Sequence, residues 1–160
     1  MKQRILIFGV SGLLGSSLLR YFSAHDSYDV YGTARAQNSI DPLPSNLHKN
    51  IFLHIDAENM NHLRKVFSVV RPDVVINCVG VVKQLKYSEE PLTTIPLNSL
   101  LPHRLADLAA TCNARLIHIS TDCVFSGDRG GYQETDLPDA RDLYGLSKLM
   151  GEVDRPNAVT

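Results

Sequence analysis

Residues 4–15 read Arg4-Ile5-Leu6-Ile7-Phe8-Gly9-Val10-Ser11-Gly12-Leu13-Leu14-Gly15. The run up to Phe8 is mostly apolar, as expected for a central strand that is buried on both faces. Residues 12–24 place leucines at helical spacing. Three glycines between a strand and a helix predict a turn that holds the phosphates of a dinucleotide; the alternative is a merely structural turn.

Each glycine of this turn has an expected task. Gly9 permits the tight turn, Gly12 lets the backbone approach a pyrophosphate, and Gly15 allows close packing of helix on strand. The helix N-terminus adds free N–H groups and the positive end of its dipole. We therefore expect the cofactor to contact the following residues: Gly9, Ser11, Gly12, Leu13, Leu14 and Gly15.

Strand and helix signals alternate along the rest of the chain. This order is typical of an α/β protein with a doubly wound parallel sheet, the Rossmann fold. The apolar patterns predict strands at 4–8, 28–33, 51–55, 74–78, 115–120 and from 158 onwards. They predict helices at 12–24, 59–70, 97–112 and about 143–153, with Pro102 kinking the third or lying near its first turn. Segments 36–50 and 127–142 are expected to be irregular.

Composition narrows the function classes. The chain has 160 residues, 44% of them hydrophobic and 21% charged, which fits one globular domain. A net charge of −1 argues against general attraction to nucleic acid or acidic membranes. The N-terminus has no signal-peptide pattern, and the cysteines Cys78, Cys112 and Cys123 lack metal-ligand spacing. We expect a cytoplasmic protein with reduced thiols.

The end of the second strand predicts which dinucleotide binds. An acid that would grip the ribose 2′-hydroxyl is expected about twenty residues after the glycines, but the chain has Arg35. A guanidinium suits a 2′-phosphate, which favours NADP over NAD; the alternative is a solvated surface arginine. Asp56, next to Ala57, is placed to accept from the adenine amino group. The fourth strand ends close to the cofactor at Cys78, Val79 and Gly80, where Cys78 is expected to be a buried filler rather than a nucleophile.

Tyr144 and Lys148 form the second decisive pattern. Residues four apart share one face of a helix, so the ammonium group can lie near the phenol. A nearby cation favours the phenolate and lowers the pKa of a tyrosine. Such a tyrosine can donate a proton near neutral pH, which together with a nucleotide cofactor indicates carbonyl or carbinol redox chemistry.

These motifs together resemble those of the extended short-chain dehydrogenases/reductases, and most closely the dTDP-4-dehydrorhamnose reductase group of sugar-nucleotide reductases. The resemblance covers almost the whole chain in the right order. It is carried by Gly9-x-x-Gly12-x-x-Gly15, Asn77-Cys78-Val79-Gly80, the run from Ile119 to Gly127, Tyr132-x-Glu134-x-Asp136-x-Pro138, and Tyr144-Gly145-x-Ser147-Lys148-x-x-Gly151-Glu152.

The resemblance implies a role for each matching residue. Thr121 hydrogen-bonds the substrate carbonyl oxygen, Tyr144 protonates it, and Lys148 lowers the tyrosine pKa and binds the nicotinamide ribose. Ser120 is expected to point to the other face of its strand. Asn98 falls where related enzymes place a helical asparagine near the cofactor, and the alternative is a polar residue at a helix end. The resemblance also implies a homodimer through the helices 97–112 and 143–153.

Two departures narrow the activity. Related 4,6-dehydratases carry a glutamate where this chain has Cys123, so dehydration is disfavoured. Segment 82–87 does not match the rhamnose enzymes, which leaves the sugar open. The reading favoured is an NADP(H)-dependent reductase of a 4-keto sugar nucleotide. The alternatives are an epimerase of the same superfamily, or a non-catalytic NADP-binding regulatory subunit such as the relative that serves a methionine adenosyltransferase.

The resemblance further implies that more than a hundred residues follow the sixth strand and bind the substrate. Residues 1–160 are therefore expected to be the NAD(P)-binding domain at the N-terminus of a longer enzyme. On this reading the domain by itself binds NADP(H) and has little reductase activity, because catalysis needs the carbonyl held in a near-attack position.

Overall fold

Six parallel strands form one sheet in the computed structural model, which describes residues 1–84 and 86–160. They are β1 (Gln3–Phe8), β2 (Tyr28–Thr33), β3 (Ile51–Phe52), β4 (Val74–Asn77), β5 (Arg115–His118) and β6 (Ala158–Val159). Their order in the sheet is β3-β2-β1-β4-β5-β6, and every neighbouring pair is parallel. This is the doubly wound order, so the predicted fold class is confirmed.

Helices cover both faces of the sheet. The α-helices are α1 (Leu13–Ser23), α2 (Met60–Val70), α3 (Pro91–Thr94), α4 (Leu101–Thr111) and α5 (Leu143–Leu149), and a π-helical segment, Ile95–Leu100, joins α3 to α4. Short 3-10 helices occur at Gln37–Ile40, Ser45–Asn50, Lys86–Glu89 and Asp122–Val124. None of the helices in the described part of the chain is long and apolar enough to cross a membrane.

The continuous apolar run of β1 is explained by two cores. Leu6 and Phe8 pack into a core with α2 and α4, whereas Ile5 and Ile7 pack into a core with residues of α1 on the opposite face. Successive strand residues point to opposite faces, so both faces of β1 must be apolar. β1 pairs with β2 on one side and with β4 on the other. Such a switch point opens a crevice at the carboxyl ends of the strands.

The structure corrects several predicted boundaries. β3 ends at Phe52 rather than 55, because the chain turns at His54, whose φ is 59°. The helix predicted at 97–112 starts earlier, since Pro91 opens α3 and the helical path continues through the π-helical segment. Pro102 is the second residue of α4, near its first turn as predicted. α5 ends at Leu149 rather than near residue 153. Segment 82–87, which departs from the rhamnose enzymes, includes Leu85, which lies outside the described residues.

Candidate active site

A cavity of about 630 Å³ lies at the switch point between β1 and β4. Its walls are the turn after β1 and the segments that follow β2, β3 and β4. Nine residues expected to bind the cofactor line it: Gly9, Ser11, Gly12, Arg35, Asp56, Ala57, Cys78, Val79 and Gly80. The cavity is also lined by residues that the sequence did not single out, namely Thr33, Ala34, Ile55, Glu58, Val81, Thr93 and Leu97.

The turn after β1 uses its three glycines differently. Gly9 has a φ of +85°, a left-handed conformation that favours glycine. A Cβ atom on Gly15 would overlap the Gly9 carbonyl oxygen, so Gly15 serves helix packing and does not line the cavity. A Cβ on Gly12 would meet only Gly9 O within 4 Å among the described residues, at 3.5 Å. Gly12 therefore presents nearly bare backbone to the cavity, as a bound pyrophosphate requires.

The expected adenosine side of the cavity carries charge. Arg35 is exposed at the rim, directly beyond the buried end of β2. The Asp56 carboxylate accepts a 3.0 Å hydrogen bond from the Glu58 N–H, while the Asp56 N–H donates to His62 Nδ1 at 3.2 Å. The side chain of Asp56 is thus held in place at the cavity wall. Glu58 also lines the cavity and was not predicted from the sequence; its position two residues after Asp56 was the available signal.

Thr121, Tyr144 and Lys148 are brought to the same edge of the sheet by β5 and α5. Thr121 follows the end of β5, and its hydroxyl oxygen accepts a 3.2 Å bond from the Cys123 N–H. Tyr144 is the second residue of α5, half-buried, and Lys148 is buried one turn later. Asp142 caps this helix by accepting from the Gly145 N–H at 2.7 Å. The helix therefore starts at a fixed point just ahead of Tyr144.

The Lys148 ammonium is held at the end of β5. Its Nζ donates a 2.6 Å hydrogen bond to the Ile119 carbonyl oxygen. Burial lowers the pKa of Lys148 to about 8, and the charge of Glu152 opposes that decrease. A Cβ atom on Gly80 would stand 4.0 Å from this Nζ. The lysine therefore lies next to the lining residue Gly80 but is not itself part of the cavity lining.

Asn98 lies behind the cavity wall rather than in it. It is fully buried in the π-helical segment, where its side chain accepts from the Val81 N–H at 2.8 Å and donates to the Val81 carbonyl at 3.1 Å. Its amide also donates to Ser147 Oγ at 3.1 Å. Asn98 is therefore neither at a helix end nor on the cavity surface, and it acts on the cavity through Val81.

Other expected contacts lie outside the cavity lining. Leu13 and Leu14 are exposed at the start of α1.

Cys78 is partly buried in the lining, and burial raises the pKa of its thiol to about 11. A thiol that resists ionisation is a poor nucleophile. The expectation that Cys78 fills space is consistent with this environment.

His118 is a titratable side chain in the core next to the candidate site. It is buried at the end of β5, and burial lowers its pKa to about 3. The side-chain oxygen of Asn77, Oδ1, accepts from the Val79 N–H. The side-chain nitrogen of Asn77 therefore faces His118 Nδ1, at 3.1 Å. Within the described residues, His118 Nε2 has no hydrogen-bond partner.

A second cavity, of about 780 Å³, lies along the segments that follow β5. Lys83 and Asp142 form an ion pair of 2.7 Å in its wall, which raises the pKa of Lys83 and lowers that of Asp142. Cys123 also lines it, as do Asp122, Phe125, Ser126, Tyr132 and Arg141. No cluster of metal-ligating side chains occurs among the residues that the structure describes.

Fold, cleft and residue pattern together define an extended short-chain dehydrogenase/reductase. Within that class the chain belongs to the family described as the RmlD substrate binding domain, whose model matches residues 2–157. The resemblance predicted from the motifs is thereby confirmed.

The similar curated proteins include both a subunit of another enzyme and a reductase. The chain is 33% identical over 152 residues to the methionine adenosyltransferase 2 subunit beta of Mus musculus, covering 94% of this chain and 42% of that protein. It is 32% identical over 157 residues to the dTDP-4-dehydrorhamnose reductase of Mycobacterium tuberculosis, covering 94% of this chain and 45% of that protein. The chain therefore spans less than half the length of these curated relatives.

One similar solved structure contains NADP. The dTDP-4-dehydrorhamnose reductase of Bacillus anthracis, in complex with NADP, superimposes with a TM-score of 0.75 at 29% identity. The match covers 94% of this chain and 48% of that one.

Proposed function

We propose that this chain is the cofactor-binding and proton-donating part of an NADP(H)-dependent reductase that acts on a 4-keto sugar nucleotide. The observation that carries the proposal is the placement of Lys148. Lys148 follows Tyr144 by one helical turn. Its buried ammonium group donates to the carbonyl of Ile119, which precedes Thr121 by two residues. Lysine is rarely buried in proteins, so a lysine buried at the carboxyl edge of a sheet indicates a role beyond a surface ion pair.

Each of the three residues has a task in carbonyl reduction. The Thr121 hydroxyl donates a hydrogen bond to the substrate carbonyl oxygen. Tyr144 transfers its phenolic proton to that oxygen, and the Lys148 charge stabilises the phenolate that is left. Together they stabilise the negative charge that develops on oxygen, which is the contribution that usually dominates such catalysis. A bound nicotinamide nucleotide supplies the hydride to the carbonyl carbon.

The residues around the first cavity fit NADP(H). Gly12 leaves room for a pyrophosphate at the start of α1, and Arg35 stands at the rim where a 2′-phosphate belongs. Asp56 is held at the wall as an acceptor for the adenine amino group. The NADP complex of the similar Bacillus anthracis reductase supports this choice.

The second cavity supports reduction rather than dehydration. Its wall includes Cys123, directly after Thr121 and Asp122, and a cysteine there lacks the carboxylate that would remove a sugar proton. Lys83 is neutralised by Asp142, so Arg141 is the lining cation available to an anionic substrate. We assign this cavity to the sugar-nucleotide side of the reaction.

The test is NADPH oxidation by the complete gene product with a panel of 4-keto sugar nucleotides. A reductase forms one NADP⁺ for each reduced sugar. An epimerase changes the sugar without net oxidation of the cofactor, and that outcome would replace our proposal with the epimerase. Tyr144→Phe is the control for reduction at the proposed site.

A second candidate is a non-catalytic NADP-binding subunit. It is supported by the 33% identity to the methionine adenosyltransferase 2 subunit beta. This function predicts NADPH binding without turnover on any sugar of the panel, together with formation of a complex with a purified methionine adenosyltransferase. Turnover that Tyr144→Phe abolishes would exclude it.

A further inference from the structure

Ile119 and Ser120, just beyond β5, each form a hydrogen bond with one of two side chains four residues apart, Lys148 and Glu152. The Ile119 carbonyl accepts from Lys148 Nζ at 2.6 Å, and the Ser120 hydroxyl donates to Glu152 Oε1, also at 2.6 Å. Ser120 thus points away from Thr121, as strand alternation requires. The segment after β5 is thus tied at two points, to α5 through Lys148 and to the chain just beyond α5 through Glu152.

The backbone at Glu152 is fixed on both sides. Its N–H donates to the Leu149 carbonyl at 3.1 Å. Gly151 packs so closely on the Asn98 carbonyl that a Cβ atom would overlap that oxygen. Val153 is buried and its N–H donates to Thr160 Oγ1 at 2.7 Å. Glu152 is therefore not a mobile surface carboxylate, and its bond to Ser120 joins two ordered segments.

The charges around Lys148 make Glu152 its counter-ion. Burial favours the neutral amine, and Glu152 is the group whose charge opposes it. His118 faces the lysine from β5 and is kept neutral by burial, with His103 of α4 nearby. Tyr144 lies four residues before Lys148 on the same helix face. Glu152, four residues after Lys148, supplies negative charge near the buried lysine.

We propose that Glu152, held by Ser120, is a positioning residue that keeps Lys148 cationic and directed at the Ile119 carbonyl. This rests on the proposed role of Lys148 beside Tyr144, and it deepens that role. The carboxylate does not touch substrate or cofactor. It acts through Lys148, and loss of its charge leaves the strand–helix connection intact if an acceptor for Ser120 remains.

The direct test is titration of Lys148 by NMR of protein labelled at lysine Cε, with the signal assigned by its absence in Lys148→Met. Glu152→Gln keeps an oxygen that can accept from Ser120 and removes the charge. We expect the midpoint of Lys148 to fall by about one pH unit, because a nearby opposite charge raises a lysine pKa by that order. Asp154→Asn is the matched control, an exposed carboxylate two residues away, and should leave the midpoint unchanged.

Ser120 variants separate charge from position. Ser120→Ala frees the Glu152 carboxylate and should also lower the midpoint, whereas Ser120→Thr keeps a hydroxyl and should restore it. An unchanged midpoint in both Glu152→Gln and Ser120→Ala would overturn the proposal. If Glu152→Gln fails to fold, as judged by circular dichroism, the Ser120 pair decides.

An activity readout on the complete gene product completes the test. Glu152→Gln should lower kcat more than it raises KM, and the loss should shrink at lower pH, where Lys148 regains its proton. A protein without reductase activity would refute the proposed function, while the NMR titration would still decide the role of Glu152.

Discussion

Gly15 packs directly on the carbonyl oxygen of Gly9, so that any side chain at position 15 would displace the turn that precedes α1. This contact fixes the angle at which α1 leaves the sheet. Gly12 has no such contact and faces the cavity. Two glycines of one motif therefore have different surroundings: Gly15 packs on backbone within the fold, and Gly12 lines the cavity.

Alanine substitutions should separate these two tasks. Gly15→Ala should lower the free energy of unfolding by about 1–3 kcal/mol, the usual cost of overpacking. Gly12→Ala should change stability little and weaken NADPH binding about tenfold or more, since its methyl group occupies the path of the pyrophosphate. Urea unfolding and NADPH fluorescence titration measure the two effects. Equal loss of stability in both variants would contradict the division of roles.

Arg35→Ala should discriminate between the two nicotinamide cofactors. Loss of a charge-assisted contact of about 1.5–3 kcal/mol should weaken NADPH binding roughly tenfold to hundredfold. NADH affinity should stay nearly unchanged, because NADH has no 2′-phosphate. Arg64→Ala, an exposed arginine on α2, is the control. Equal losses for both cofactors would remove the 2′-phosphate role of Arg35.

Tyr144→Phe should abolish most turnover and leave NADPH affinity intact, because it removes only the proton donor. Lys148→Ala should impair both, since the lysine is expected to bind the nicotinamide ribose as well. Steady-state kinetics on the complete gene product and cofactor titration provide the comparison. Tyr21→Phe, an exposed tyrosine of α1, serves as control. Normal kcat in Tyr144→Phe would show that the proton comes from another group.

His118 should make the fold sensitive to acid. Its pKa is about 3 in the folded chain, against an ordinary value of 6.5. Between these values the unfolded chain binds a proton that the folded chain does not, so stability falls as pH decreases from 6.5 towards 3. His118→Gln should reduce this slope by up to about 1.4 kcal/mol per pH unit. The exposed His25→Gln should not, and identical slopes in all three proteins would rule out His118 as the cause.

Association should involve α4 and α5. Within the helices expected to form the dimer, Leu101 and Leu108 are core residues, whereas Leu100 and Leu146 are 45% and 40% exposed. Leu146→Lys should convert a homodimer to monomer in analytical ultracentrifugation, because a two-fold interface buries each substitution twice. Val69→Lys on α2 is a matched control. A wild-type protein that is monomeric at micromolar concentration would refute the dimer.

Local sequence patterns predicted the sheet well and the helix before β5 poorly. β2 occupies residues 28–33 as predicted, because β-forming residues between turn signals leave little choice. The helix predicted to begin at 97 starts at Pro91 instead. Pro102 was expected to kink this helix or lie near its first turn. It lies in the first turn of α4, and Pro91 opens α3, positions that tolerate proline.

In the candidate site, residues that belong to motifs were predicted, whereas contacts between distant residues were not. Residues set by motif, such as Arg35 and Asp56, line the cavity where the sequence placed them. Their roles remain predictions. The bond between Ser120 and Glu152 joins positions 32 residues apart, and the contact of Asn98 with Val81 spans 17 residues. Neither pair has a local pattern that indicates it, because each joins segments that become neighbours only in the folded chain.

The side chain of Asn98 behaves towards Val81 as a neighbouring peptide group would. It both accepts from the N–H and donates to the carbonyl of that one residue, which is the exchange that a further strand would provide. The chain after β4 can therefore leave the sheet with its backbone polar groups satisfied at residue 81. One amide, supplied from a helix, substitutes for a strand, and the residues after 81 are free to diverge among relatives without loosening the cavity wall.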